Sequence, residues 1–331
     1  MAIRLTGVTY DQRMIDYTDA LKKAEITTNR MDSPAKMTFE GVEDDGIALP
    51  EGSAVTFTDD GITIFKGFVF TAKRDRYGNV SYTAYDQTRY LKSKQSYTFE
   101  NQSLEQIITQ IATDFNLTIG TLEETGYIFP SLIKENETCL DIIFDALSKT
   151  IYQTGKIWIF YDDAGALTLR EAKNLQIATV IGDGSMMTDY EYKRDIDNQT
   201  YNRVKLARPN ADTGRTDVYV YEDTETIAKW GLLQYYDKVD DQLNEAQIDL
   251  LCQNYLKYYN KVTQSLTIEA MGIPGIRAGV ILPVLINAVE SLSFNRILLA
   301  EKVTHTYEGS GYHKMKIDVK NFEQLGGASV V

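Results

Sequence analysis

Two cysteines, two histidines, two tryptophans and six prolines are all that this 331-residue chain contains of those four types. The cysteines, Cys139 and Cys252, are far apart, each on an expected helix among apolar neighbours, and read as buried free thiols rather than a staple. With both histidines, His305 and His313, beside one C-terminal turn, no Ser/His/Asp nucleophile constellation can be assembled. So few prolines leave no long proline-rich linker. No apolar run reaches the ~20 residues that span a bilayer, and the longest, 280–289, contains Pro283 and Asn287. Met1-Ala2-Ile3-Arg4 lacks the long apolar segment of a signal peptide, so the chain is expected to stay where it is made unless a machine carries it. Positive charge is short as well: 34 Lys and Arg against 47 Asp and Glu give a net charge of −13. A general nucleic-acid binder needs a basic footprint, whereas an acidic wall suits a conduit that DNA passes without sticking.

What is present is a globular composition, 43% hydrophobic and 24% charged, long enough for two or three domains. Tyrosine is abundant, 22 residues against 12 Phe, and favours a β-rich protein with protein-binding faces. The organising stretch is a meander. Residues 54–57, 62–69 and 80–85 are β-branched and aromatic, joined by Asp59-Asp60-Gly61 and Tyr77-Gly78-Asn79, both composed as hairpin turns. With strand patterns at 3–5, 8–10, 26–28 and 35–40, residues 1–98 are expected to form a mainly antiparallel barrel or sandwich.

From residue 99 the period changes. Ser103 with Gln106 resembles a capping box, and Leu104, Ile107, Ile108, Ile111 and Phe115 share one helical face, closed by Asn116. A second helix starts at Thr138 with Asp141, its apolar face formed by Leu140, Ile143, Phe144 and Leu147. A hairpin follows over 156–169, with Trp158 and Phe160 expected on its buried side. Residues 99–175 are thus an α+β insert, and 176–331 a second β domain with one helix over 241–259. The class is α+β, mainly β. The last strands echo the first meander: Gly52-Ser53-Ala54-Val55 by Ala278-Gly279-Val280-Ile281, 64–72 by 297–306, and 82–86 by 315–318.

Several groups invite a chemical reading. Asp44-Asp45, Asp59-Asp60, Asp162-Asp163 and Asp240-Asp241 are paired carboxylates, but adjacency does not make a shared cleft, and turn or cap chemistry explains each. Asp195, Asp197 and Asn198 lack the glycine and distal glutamate of a calcium loop. His305 and His313 are expected to face each other across a hairpin without the further ligands zinc needs. Gly182-Asp183-Gly184 has no phosphate-loop lysine and reads as a turn, and Tyr255, Tyr258 and Tyr259 read as helix packing. No catalytic, cofactor or metal residue is assigned, and no interface residue is named.

In order along the chain, Gly67 and Val69, Tyr85-Asp86-Gln87-Thr88-Arg89-Tyr90-Leu91, Ser103 to Ile108 with Leu117, Tyr201-Asn202-Arg203-Val204, Gly272-Ile273-Pro274 with Gly279, and His305 resemble the baseplate hub proteins of contractile phage tails, the late-control D and XkdQ/YqbQ-type hubs. That resemblance implies two tail-tube-like antiparallel β-barrel domains with the α+β insert between them. It implies a homotrimer whose six similar barrels form a ring, joining the hexameric tail tube to the threefold spike among other baseplate proteins. Such a part is structural, not enzymatic, and needs no cofactor, membrane insertion or sequence-specific nucleic-acid contact. It would be made and assembled in the bacterial cytoplasm and end in the tail of a phage, prophage or bacteriocin particle. A closed ring also hides the sheet edges that invite aggregation. The alternatives are a tail-associated peptidoglycan hydrolase and a carbohydrate-binding β module or adhesin.

Overall fold

The computed structural model describes residues 2–42, 46–197, 200–210, 214–239, 243–289, 292–309 and 311–321. The chain opens with β1 (Ile3–Val8), β2 (Met14–Asp16), β3 (Leu21–Asn29), β4 (Lys36–Val42), β5 (Ala54–Asp59), β6 (Ile62–Arg74) and β7 (Asn79–Tyr85). After a 3₁₀ turn at Gln87–Lys92 come β8 (Lys94–Ser103), α1 (Leu104–Asp114), β9 (Ile119–Leu122), β10 (Ile128–Thr138), α2 (Cys139–Thr154), β11 (Trp158–Asp162) and β12 (Leu167–Glu171). Then β13 (Ile181–Gly182) and β14 (Met187–Asp195) precede β15 (Arg203–Asn210), β16 (Arg215–Glu222), α3 (Thr224–Trp230), β17 (Gln234–Lys238) and α4 (Glu245–Tyr259). The chain closes with β18 (Thr263–Met271), β19 (Ile281–Val289), β20 (Leu292–Glu308) and β21 (Tyr312–Asn321).

Two compact units result, one from the chain up to Glu191 and from Leu266 onward, the other from Tyr192–Ser265. In the first, alternation along β3 to β7 buries Ile26, Phe39, Val55, Phe57 and Tyr82 on one sheet face. The hairpin turn before β6 has Asp60 at φ 46° and Gly61 at φ 80°, the left-handed pair that a two-residue turn requires.

The echo seen in the sequence is a structural repeat. The neighbour order β3-β4-β7-β6-β5 recurs as β14-β18-β21-β20-β19. Gly52 N donates to Val69 O at 2.8 Å and Val69 N to Ser53 O at 2.9 Å; likewise Gly279 N donates to Ala300 O at 2.8 Å and Ala300 N to Val280 O at 3.0 Å. Both central strands then bulge at the same place, between Val69 and Thr71 and between Ala300 and Lys302. Gly52 and Gly279 stand at φ 84° and 93°, where a side chain would be strained. The repeats join edge to edge within one sheet, β20 pairing antiparallel with β3 from Lys302↔Asn29 to Glu308↔Lys23.

The insert follows its capping signals. Ser103 and Gln106 form the capping box of α1, whose buried residues are Leu104, Ile107, Ile108, Ile111 and Ala112, and Asn116 turns left-handed after it. Thr138 caps α2 by accepting from Asp141 N at 3.2 Å, and Gly155 ends it. One core unites these helices with Trp158 and Phe160. The hairpin β11–β12 differs from the one-sided expectation: Ile157, Ile159 and Tyr161 are buried too, in a second core with Ile281 and Leu299 of the last meander. Both faces are covered because the insert lies against the second repeat.

In the other unit, β16-β15-β17 pack Val204 and Leu206 against Ile248 and Cys252 of α4. That helix begins later than residue 241, after a capping box of Asn244 and Gln247, and Asp240-Asp241 lie outside the described residues. Asn202 is fully buried and staples the unit: its Nδ2 donates to Gly231 O at 2.8 Å and its Oδ1 accepts from Leu233 N at 2.8 Å. No helix among the described residues is long and apolar enough to cross a membrane.

Candidate functional site

Two buried polar clusters tie the first repeat, the insert and the second repeat together. The first is built on Asp86, which begins the 3₁₀ turn after β7. Its carboxyl accepts from Thr88 N at 3.0 Å, Thr88 Oγ1 at 2.5 Å and Ala35 N at 3.1 Å. Gln87 reaches into the insert: its Nε2 donates to Asp162 Oδ2 at 2.7 Å and Thr118 O at 3.2 Å, while its Oε1 accepts from Thr118 N at 3.0 Å. Arg277, from the second repeat, lies 3.5 Å from the Tyr161 ring centroid and donates to Asp162 O at 3.3 Å.

Burial, then the neighbouring Asp162, pushes Asp86 up to about 7, overriding the hydrogen bonds that pull it down. Burial raises Asp162 as well and lowers Arg277. The structure thus brings together Asp86 and Asp162, two carboxyls with no sequence proximity. The cavities beside them hold about 10 and 90 Å³. Spaces of that size suit ordered water.

The second cluster links His305, His313 and Asp59. His305 Nε2 lies 2.5 Å from Ile276 O, a fixed acceptor, so that nitrogen carries the proton. Its Nδ1 then accepts from His313 Nε2 at 2.9 Å, leaving His313 Nδ1 bare 3.5 Å from Asp59 Oδ2. Burial lowers His305, takes His313 to about 4 and raises Asp59 above the usual carboxylate range. The histidines do meet across the hairpin. Asp59, read as a turn residue, is instead a buried strand residue beside Tyr307; Asp60 occupies the turn at φ 46°, and its side chain accepts from Ala2 N at 2.7 Å. Gly272 makes room for this: a Cβ there would fall 2.1 Å from the His313 ring.

Asp86, Gln87, Gly272 and His305 of the ordered motifs therefore sit at joints between modules, and comparison with known proteins gives the chain a family. A family model described as YqbQ-like matches residues 24–320. The chain is 32% identical over 305 residues to YqbQ of Bacillus subtilis (strain 168), covering 90% of this chain and 91% of that one. It is 34% identical over 275 residues to the phage-like element PBSX protein XkdQ of the same organism, covering 82% of each. The chain belongs to the YqbQ-like family. Among solved structures, the 43 kDa tail protein of prophage MuSo2 from Shewanella oneidensis has a TM-score of 0.70 at 14% identity, covering 97% of this chain and 99% of that one. The tail protein from Neisseria meningitidis MC58 has a TM-score of 0.69 at 12% identity, with 98% of both chains covered. This YqbQ-like chain has the fold of phage tail proteins.

The remaining candidates in the YqbQ-like chain are structural. Asp162 Oδ1 accepts from Gly165 N at 2.7 Å, the turn role expected of it, beside its contact with Gln87. Asp183 Oδ2 accepts from Asn287 N at 2.7 Å within the Gly182–Gly184 turn. Asp195 pairs with Lys193 at 2.8 Å; Asn198 and Asp44-Asp45 lie outside the described residues. No cluster of three or more potential metal ligands occurs among the described residues. Tyr255 and Tyr259 pack on Tyr235 with centroids 5.3 Å apart in each pair, while Tyr258 is exposed beneath Lys261. Both cysteines are buried and unbridged, and burial raises Cys252 to about 11, far from a reactive thiolate.

Proposed function

We propose that this YqbQ-like chain is the non-catalytic hub of a contractile phage tail or phage-tail-like particle, closing as a homotrimer into a pseudo-sixfold ring between the tail tube and the threefold spike. In this reading residues 1–98 and 176–331 supply two tube-like modules per chain, and 99–175 an insert between them. Assembly with other baseplate proteins takes place in the bacterial cytoplasm.

The observation that carries the proposal is the joint between repeats. Within the chain, β3 of the first repeat pairs with β20 of the second, just beyond the bulge. The equivalent edges are β14, the terminal strand of the sheet path, and β6 past Val69 on the side where β5 has ended. No strand pairs with either edge among the described residues. Repeating the internal joint between chains lays residues 187–191 of one copy along residues 71–77 of the next. The charges suit it: β14 carries Asp189 and Glu191, and the end of β6 with the turn after it carries Lys73 and Arg76. Two repeats per chain and three chains make six equivalent joints.

Light scattering over a concentration series tests this. A species near three chains of 37.5 kDa is expected. D189K/E191K should dissociate it, and mixing that variant with K73E/R76E should restore it. A monomer at every concentration, or charge reversals without effect, would overturn the ring.

A further inference from the structure

A groove of about 570 Å³ lies over the joint between the repeats, on the sheet face opposite the first repeat's core. Its walls carry Lys36 of β4, Lys302 of β20, and Arg89 and Lys92 of the 3₁₀ turn, against a single carboxylate, Glu25 of β3. In a chain of net charge −13 these four cations make a local excess of the opposite sign. Elsewhere in this compact unit, Arg30 pairs with Glu301 and Lys134 with Asp145. None of the four has an ion pair among the described residues.

Arg89 is held ready. Its guanidinium, a fork suited to carboxylate, lies 5.2 Å from the Phe70 ring centroid and 5.8 Å from that of Tyr85. The floor is neutral and polar, with Thr27 and Thr304 hydroxyls 3.2 Å apart and Asn29 beside them. Such a floor can bond to peptide amides and carbonyls.

We propose that this groove binds a short, carboxylate-rich segment of a partner polypeptide. Nucleic acid is the poorer fit. Its evenly spaced phosphates call for a continuous basic track, and the net negative charge of the chain repels a long polyanion. A peptide can confine its charge to the four cations and leave its backbone to the polar floor. The groove belongs to a single chain and does not depend on the ring.

Fluorescence anisotropy of the full chain with a labelled oligoglutamate, and with a length-matched oligothymidylate, tests the assignment. Oligoglutamate should bind, and K36E/K302E should weaken it about tenfold or more by turning attraction into repulsion. R89A/K92A alters the opposite wall and should weaken binding in the same direction, which keeps the test sound if the first variant fails to fold. K149E/K156E makes an equal charge change outside the groove and should leave affinity within about twofold. Added salt should weaken binding, since the Debye length falls from about 10 Å at 0.1 M to about 3 Å at 1 M. Absence of oligoglutamate binding, equal losses in K36E/K302E and K149E/K156E, or tighter groove-dependent binding of oligothymidylate would each overturn the proposal. Light scattering of K36E/K302E reads ring closure separately, so failure of the groove and failure of the ring are distinguishable.

Discussion

At the scale of single residues, the buried titratable groups set opposing pH dependences. Asp86 is raised to about 7 from an ordinary 3.8, so the folded state holds a proton that the unfolded chain releases. Its stabilising effect is fully present below pH 3.8 and is lost as pH rises through 7. His313, lowered from 6.5 to about 4, acts in the other direction: its contribution is present above pH 6.5 and is lost as pH falls through 4. The two partly cancel between those limits. In D86N the first term is gone, so denaturant unfolding should show stability rising more steeply, or falling less, from pH 5 to 7 than in the parent. The lost acceptor costs the variant about 1–3 kcal/mol, because a single amide oxygen cannot accept from both Ala35 N and Thr88 N, so its deficit against the parent should be larger at pH 5 than at pH 7. An unchanged slope would show that Asp86 titrates normally.

At the scale of elements, the hairpin β11–β12 and helix α1 give contrasting expectations. The α1 cap is a local device, the Ser103 side chain accepting from the Gln106 backbone N–H in the capping box, so Ser103→Ala should cost about 1 kcal/mol. Ile159 is held by distant chain, packing with Ile281 and Leu299, and Ile159→Ala should cost about 2–5 kcal/mol. Urea melts of the two variants measure this order directly. The cap was legible because capping chemistry is written within four consecutive residues. The double burial of β11 was not, since the period of a strand tells which side chains share a face and not what covers it. Strands β8 and β10 went unread for a related reason. They pair only with each other and alternate weakly, most of their side chains being at least partly exposed.

At the scale of the molecule, the repeat explains where the second compact unit is attached. In the first repeat, six residues, 30–35, join β3 to β4, whereas the equivalent strands β14 and β18 are joined by the segment containing β15 to β17 and α4. That segment has its own core around Val204, Leu206, Ile248 and Cys252. Replacing residues 196–262 with the 30–35 turn should therefore leave the remaining chain folded, with hydrogen exchange in β3, β20 and β21 protected as in the parent. Loss of protection there would mean that the first unit depends on the second.

Local chemistry by itself determined much of this protein: the meander and its echo, the caps of α1 and α2, the hairpin turns, the buried thiols and the order of motifs that resembles phage tail hubs. Each of these rests on residues close together in the chain, where periodicity, turn geometry and capping act directly. Only the tertiary structure decided that the repeats join through β3 and β20, that Asp86 meets Asp162 under Arg277, and that Asp59 is buried beside His313. It also decided that Lys36, Arg89, Lys92 and Lys302 share one groove. These are long-range meetings, and a strand's pattern of side chains carries its faces but not the identity of its neighbour. Burial, which moves the carboxyls and histidines from their ordinary titration, exists only once those neighbours are in place.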